Sequence, residues 1–128
     1  MILVDSSIWI DHLRANDQNL ARLLNRGQVL AHGFVIGELA LGNLRQRAEI
    51  LRLLGDLPQA VIATDAEVLH FIDANRLHGL GIGYIDTHLL ASTRLSADAR
   101  LWTRDKRLHA VAAKLALAAP LYPVGSGG

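Results

Sequence analysis

Ile2-Leu3-Val4-Asp5-Ser6-Ser7-Ile8 is the stretch on which the fold turns. Three consecutive apolar residues stopped by an acid and two hydroxyls suit a strand buried on both faces that hands over to a helix through a polar cap. Strands of this kind belong to parallel sheets, whose faces are covered by helices. Short apolar runs recur at Val29-Leu30-Ala31, Val61-Ile62-Ala63, Leu101-Trp102-Thr103 and Pro120-Leu121-Tyr122. Between them, apolar spacing predicts helices over 8–14, 20–25, 35–44, 48–54, 64–78, 85–95 and 108–117, with Gly27, Gly55 and Gly79 as stops. The 64–78 helix opens on Thr64-Asp65-Ala66-Glu67, a capping box with its Glu three residues after the Thr. Strands alternating with helices in this order predict an α/β domain with a mainly parallel sheet.

At 128 residues the chain has room for one core, and 51% hydrophobic with 20% charged residues is ordinary globular composition. We expect a single domain over 1–124 and a flexible tail, Gly125-Ser126-Gly127-Gly128. The absence of cysteine removes disulfides, thiolate metal sites and cysteine nucleophiles, and fits a reducing compartment. A net charge of +1, from 13 Lys and Arg against 12 Asp and Glu, excludes a general polycation but leaves room for a local basic patch. The run Met1-Ile2-Leu3-Val4 has no basic start and breaks far short of a signal core or membrane span, so a soluble cytoplasmic protein with no membrane contact is the expectation.

Acidic residues belong on wet faces, so those with apolar helical neighbours carry information. Glu38 has Phe34, Val35, Leu41 and Gly42 at the helical positions around it, and Asp86 has Ile82, Gly83, Leu89 and Leu90. Both are expected on stripes that face the core, where an unpaired carboxylate costs several kcal/mol unless a cation or shared proton compensates it. Asp5 and Asp105 follow predicted strands, at the sheet end where ligands collect in open α/β folds. Four carboxylates converging there would suit hard divalent cations. Taken singly, each has a plainer reading. Asp5 and Asp105 would be helix caps, Asp86 a cap for a helix beginning at Thr87, and Glu38 would reach water or pair with Arg45 or Arg47.

These residues resemble the PIN domain family, in particular the VapC toxins of bacterial VapBC toxin–antitoxin pairs. The resemblance is carried by Ile2-Leu3-Val4-Asp5-Ser6-Ser7-Ile8-Trp9-Ile10-Asp11, Gly37-Glu38-Leu39-Ala40-Leu41-Gly42, Gly83-Tyr84-Ile85-Asp86-Thr87-His88-Leu89-Leu90-Ala91 and Leu101-Trp102-Thr103-Arg104-Asp105-Lys106-Arg107-Leu108. It implies a three-layer α/β/α sandwich, ribonuclease activity, and an acidic site for Mg²⁺ or Mn²⁺ formed by Asp5, Glu38, Asp86 and Asp105, with Ser6 and Thr103 as supporting hydroxyls. It also implies a homodimer and a VapB-like antitoxin whose Arg or Lys enters the acidic pocket.

Metal-assisted hydrolysis leaves a 5′-phosphate and a 3′-hydroxyl, whereas a metal-free ribonuclease uses the 2′-hydroxyl and paired acid–base side chains, commonly His. His12, His32, His70, His78 and His109 show no clustered spacing, and His88 reads first as a helical surface residue. Arg14, Arg104, Lys106 and Arg107 are the candidate RNA-binding cations; their plainer reading is a solvated helix face. At 5% aromatic residues an extended base-stacking platform is disfavoured, and Trp9 and Trp102 are expected in the core. No Gly-rich turn follows the first strand, as dinucleotide binding requires, and Ser7 stands where haloacid-dehalogenase chemistry needs a second Asp. The remaining rival is a non-catalytic PIN-like module that binds RNA or protein around a structural ion.

Overall fold

The structure, a computed structural model, describes residues 1–120. Its centre is a three-stranded, all-parallel sheet in the order β2-β1-β3. β1 (Ile2–Val4) lies between β2 (Val29–Leu30) and β3 (Arg100–Trp102). Ile2 stands opposite Val29 on one side and Arg100 on the other, and Val4 opposite Trp102. Leu3, Val4 and Leu101 are fully buried, as a sheet sandwiched by helices requires.

Seven helices surround the sheet among the described residues: α1 (Ser6–Ala15), α2 (Gln18–Asn25), α3 (Gly33–Ala40), α4 (Arg47–Asp56), α5 (Asp65–Asn75), α6 (Tyr84–Leu95) and α7 (Lys106–Lys114). The core gathers Ile8 of α1, Leu20 of α2, Val35 and Leu39 of α3, Leu89 and Leu90 of α6 and Leu108 of α7 around the sheet. Trp9 and Trp102 are buried with them. The expected α/β sandwich with a parallel sheet is thus the observed one. Among the described residues no helix is long and apolar enough to cross a membrane.

Three expectations change. Val61-Ile62-Ala63 is not a strand: Ser96 and Ser92 of α6 take the amide hydrogens of Val61 and Ala63 through their hydroxyls, and Val61 and Ile62 are half exposed. Among the described residues the sheet-like pairing nearby is a single bridge from Gln59 to Ala31. α3 ends at Ala40 rather than at residue 44, leaving Leu41 91% exposed. α5 stops at Asn75 because Arg76 turns into the left-handed region, φ 54°, short of the expected Gly79 stop. Of the expected last strand only Pro120 is described; Ala118 pairs with Leu101 just before it, while Leu121, Tyr122 and the 125–128 tail lie outside the described residues.

Candidate active site

Asp5 follows β1 and caps α1, with Oδ1 accepting the Ser6 amide at 2.7 Å. Its other oxygen, Oδ2, accepts the Thr103 hydroxyl at 2.7 Å and the Ser7 hydroxyl at 3.3 Å. The carboxylate is buried, and hydroxyls and an amide replace its water without neutralising it. Ser6 also links the first two acids, its hydroxyl lying 2.9 Å from Glu38 Oε2 and 3.4 Å from Asp5 Oδ1. Asp105 stands after β3 as the cap of α7, accepting the Leu108 amide through Oδ1 at 3.0 Å. For Asp5 and Asp105, then, the plainer reading as helix caps holds for one oxygen, Oδ1, and the cap does not use Oδ2.

Glu38 departs from its expected burial. The buried stripe of α3 is Val35 and Leu39, and Glu38 shares the outer face with Phe34 and the exposed Leu41. Leu39 is core. No arginine pairs with Glu38 among the described residues; Arg47 donates instead to the Ala40 carbonyl. Asp86 is partly buried in the first turn of α6, whose cap is Gly83, so it does not cap a helix beginning at Thr87. It has no hydrogen bond or ion pair with any described residue.

Asp86 feels the charges of the other three acids. The Asp86 carboxyl is pushed up from 3.8 to about 6, first by burial and then by the charges of Asp5, Asp105 and Glu38. A helix N-terminus ordinarily favours a carboxylate, so the three like charges and desolvation outweigh the α6 dipole here. Among the described residues no group of three His, Asp or Glu is gathered tightly enough to hold an ion as placed. The donor set nevertheless fits a hard divalent cation in kind: carboxylate oxygens only, mutually repelling, with Asp86 free of protein partners.

The basic residues divide. Lys106 and Arg107 open α7 beside Asp105 and are exposed. The Arg107 guanidinium lies over Gly81, where a Cβ would come within 2.7 Å of it. Arg14 is exposed in the last turn of α1, about 12 Å along the helix axis from Ser6. Arg104 turns inward to Asp11 and to Asp17, the latter at 3.1 Å.

His88 is 3% exposed rather than a surface histidine, because α6 is covered on that side by the rings of Phe34 and Tyr84, each 4.8 Å away and edge-on. Its Nε2 meets Asp65 at 3.1 Å, and Asp65 also accepts the Tyr84 hydroxyl. His32 caps α3: Nδ1 accepts the Phe34 amide, so Nε2 carries the proton toward Ser92 Oγ at 3.0 Å. Burial and the nearby His88 lower its pKa from 6.5 to about 4. The sequence reading missed Ser7 and the Asp11–Arg104–Asp17 group. Ser7 was open to inference, as a hydroxyl two residues after a capping acid.

A family model described as PIN domain matches residues 2–114. Two relatives, each called Ribonuclease VapC32, come from Mycobacterium tuberculosis strains CDC 1551 / Oshkosh and ATCC 25618 / H37Rv. Each is 49% identical over 118 residues, which is 92% of this chain and 95% of the relative.

Proposed function

This chain belongs to the PIN domain family, and on that premise we propose that it is a VapC-like, metal-dependent ribonuclease toxin neutralised by a VapB-like antitoxin. The observation that carries the reading is Asp86, whose carboxyl has no protein partner and is raised first by burial and then by the charges of Asp5, Asp105 and Glu38. An uncompensated acidic group at the carboxyl end of a parallel sheet is a cost to the fold that a bound cation removes.

Asp5, Glu38, Asp86 and Asp105 would hold Mg²⁺ or Mn²⁺. When bound, such an ion lowers the pKa of water and stabilises charge on phosphoryl oxygens. The chain's own residues do the rest. Thr103 and Ser7 fix Asp5 Oδ2, Ser6 ties Glu38 to the start of α1, and the α7 cap sets Asp105. Lys106 and Arg107 would supply phosphate contacts beside Asp105, with the exposed Arg14 of α1 as a further candidate, so recognition is weighted to the RNA backbone. The exposed Leu41 and Phe34 beside Glu38 offer an apolar approach for the antitoxin, whose Arg or Lys would compete with the cation. A homodimer is part of the proposal, and size measurement at micromolar concentration checks it.

The test is incubation of the protein with total cellular RNA and Mg²⁺ or Mn²⁺, followed by mapping of the cleaved ends. The reading expects 5′-phosphate products that are absent with chelator and with Asp5→Asn. Tight RNA binding without any cleavage would favour the non-catalytic module.

A further inference from the structure

Arg104 directly precedes Asp105 as Lys106 directly follows it, yet the Arg104 guanidinium is held by Asp11 of α1 and by Asp17, the cap of α2. That contact fastens the turn between β3 and α7 to the first two helices. Two hydrogen-bonded relays run from the same turn to one oxygen of Asp5. In the first, the Arg104 amide donates to Ser7 Oγ at 3.2 Å, and Ser7 donates to Asp5 Oδ2 at 3.3 Å. In the second, the Asp105 amide donates to Thr103 Oγ1 at 3.1 Å, and Thr103 donates to Asp5 Oδ2 at 2.7 Å. In both, a backbone amide takes the acceptor lone pair of a hydroxyl and so aims its proton at Asp5.

We propose that Arg104 is a positioning residue for the acidic site rather than an RNA contact. By anchoring the 103–105 turn on Asp11 and Asp17, it sets the hydroxyls that orient Asp5 and the cap that orients Asp105. Groups that orient a metal ligand commonly account for 10- to 100-fold in metal affinity. The proposal deepens the metal-dependent reading and rests on it.

Asp17→Asn is the sharpest probe, because Asp17 holds Arg104 but has no hydrogen bond or ion pair with Asp5, Arg14, Lys106 or Arg107. Its Oδ1 caps α2 through the Asn19 and Leu20 amides while Oδ2 holds Arg104, so Asn retains the cap and loses the ion pair. Mn²⁺ affinity is measured by calorimetry without RNA, and affinity for a fluorescein-labelled RNA hairpin by anisotropy in chelator. We expect Asp17→Asn and Arg104→Gln each to weaken Mn²⁺ binding about 10-fold and to lower kcat similarly, with RNA affinity unchanged within about twofold. Arg104→Lys, which keeps one charged contact, should recover part of the Mn²⁺ affinity and guards against a variant that merely unfolds.

An RNA-contacting Arg104 predicts the opposite sign: removing its acid partner frees the guanidinium, so Asp17→Asn would bind RNA more tightly with Mn²⁺ affinity intact. That result overturns the proposal, as does a folded variant less stable to heat but unaltered in Mn²⁺ binding. Wild type that binds no Mn²⁺ would overturn the nuclease reading together with this one. Wild-type binding that Asp17→Asn leaves unaltered overturns the positioning role alone.

Discussion

Asp5 and Asp17 are both buried aspartates that cap a helix, 7% and 5% exposed, and they differ in what their second oxygen meets. Asp17 presents Oδ2 to a guanidinium, so its charge is matched inside the protein. Asp5 presents Oδ2 to two hydroxyls and stands among carboxylates that raise Asp86. Hydroxyls hold a carboxylate in place without cancelling its charge. Capping geometry therefore does not separate an acid built for stability from one built for a ligand; the presence or absence of a matching cation does.

The largest effect expected from this contrast is on cleavage. Asp5→Asn, Glu38→Gln and Asp86→Asn should each lower RNA turnover by more than about 100-fold, beyond what loss of an orienting group alone costs. Asp17→Asn should lower it only about 10-fold. In chelator the order reverses for stability. Asp17→Asn should lose about 1–3 kcal/mol for a charged hydrogen bond, while Asp5→Asn should melt no lower than wild type because one of several repelling charges is gone. Paired turnover and melting measurements decide this, and equal losses of both properties in the two variants would erase the distinction.

Next in size is a pH effect in which two groups oppose each other. Asp86 is about 6 in the folded protein against 3.8 unfolded, so the folded state holds a proton that the unfolded chain has released. Its contribution to stability is present below about 4 and is lost as pH rises to about 6, by less than the roughly 3 kcal/mol of the full shift because solvent screens a partly exposed carboxyl. His32 is about 4 in the folded protein against 6.5 unfolded. Its contribution is present above about 6.5 and is lost as pH falls to about 4, by a similar amount. Wild type in chelator should therefore show a shallow profile between pH 4 and 6.5. Asp86→Asn should be more stable than wild type at neutral pH and should lose stability steeply on acidification, because nothing at position 86 then opposes the protonation of His32. Urea unfolding across that range measures it, and parallel profiles for the two proteins would contradict the like-charge account of Asp86.

Smaller effects sharpen the contrast. Thr103→Val removes the shorter hydroxyl contact to Asp5 and should weaken Mn²⁺ binding about 10-fold, with a buried shape close to that of threonine. Asp105→Asn should cost less, since Asp105 is exposed, where water screens its charge, and Asn can still cap α7. Calorimetric titration ranks the two, and an Asp105 variant weaker than Thr103→Val would reverse the assigned order.

What the sequence allowed follows from how local each feature is. Asp5 and Asp105 were readable because a strand end followed by a cap is written in adjacent residues. The parallel sheet was readable from its short, fully apolar runs. Val61-Ile62-Ala63 looked the same, but its backbone is satisfied by two serines of α6, a partner some 30 residues away that no local pattern reveals. Glu38 was placed on the wrong stripe because α3 is apolar nearly all round, and only packing chooses Val35 and Leu39 as its inner face. His88 looked like a surface residue for the converse reason, since Tyr84 one turn back on α6 covers it together with Phe34 of α3, which no local pattern reveals. The Arg104 anchor joins positions 93 and 87 residues apart, so its role follows from tertiary structure rather than spacing.

The central claim is that Asp5 belongs to a cation site, and calorimetric titration of Mn²⁺ into chelator-stripped wild type and Asp5→Asn tests it most directly. Wild type should bind and, at about 100 times its dissociation constant, gain about 2.7 kcal/mol of stability, while Asp5→Asn should bind more than about 100-fold more weakly. Equal Mn²⁺ affinity in the two proteins would contradict it and leave Asp5 a helix cap alone.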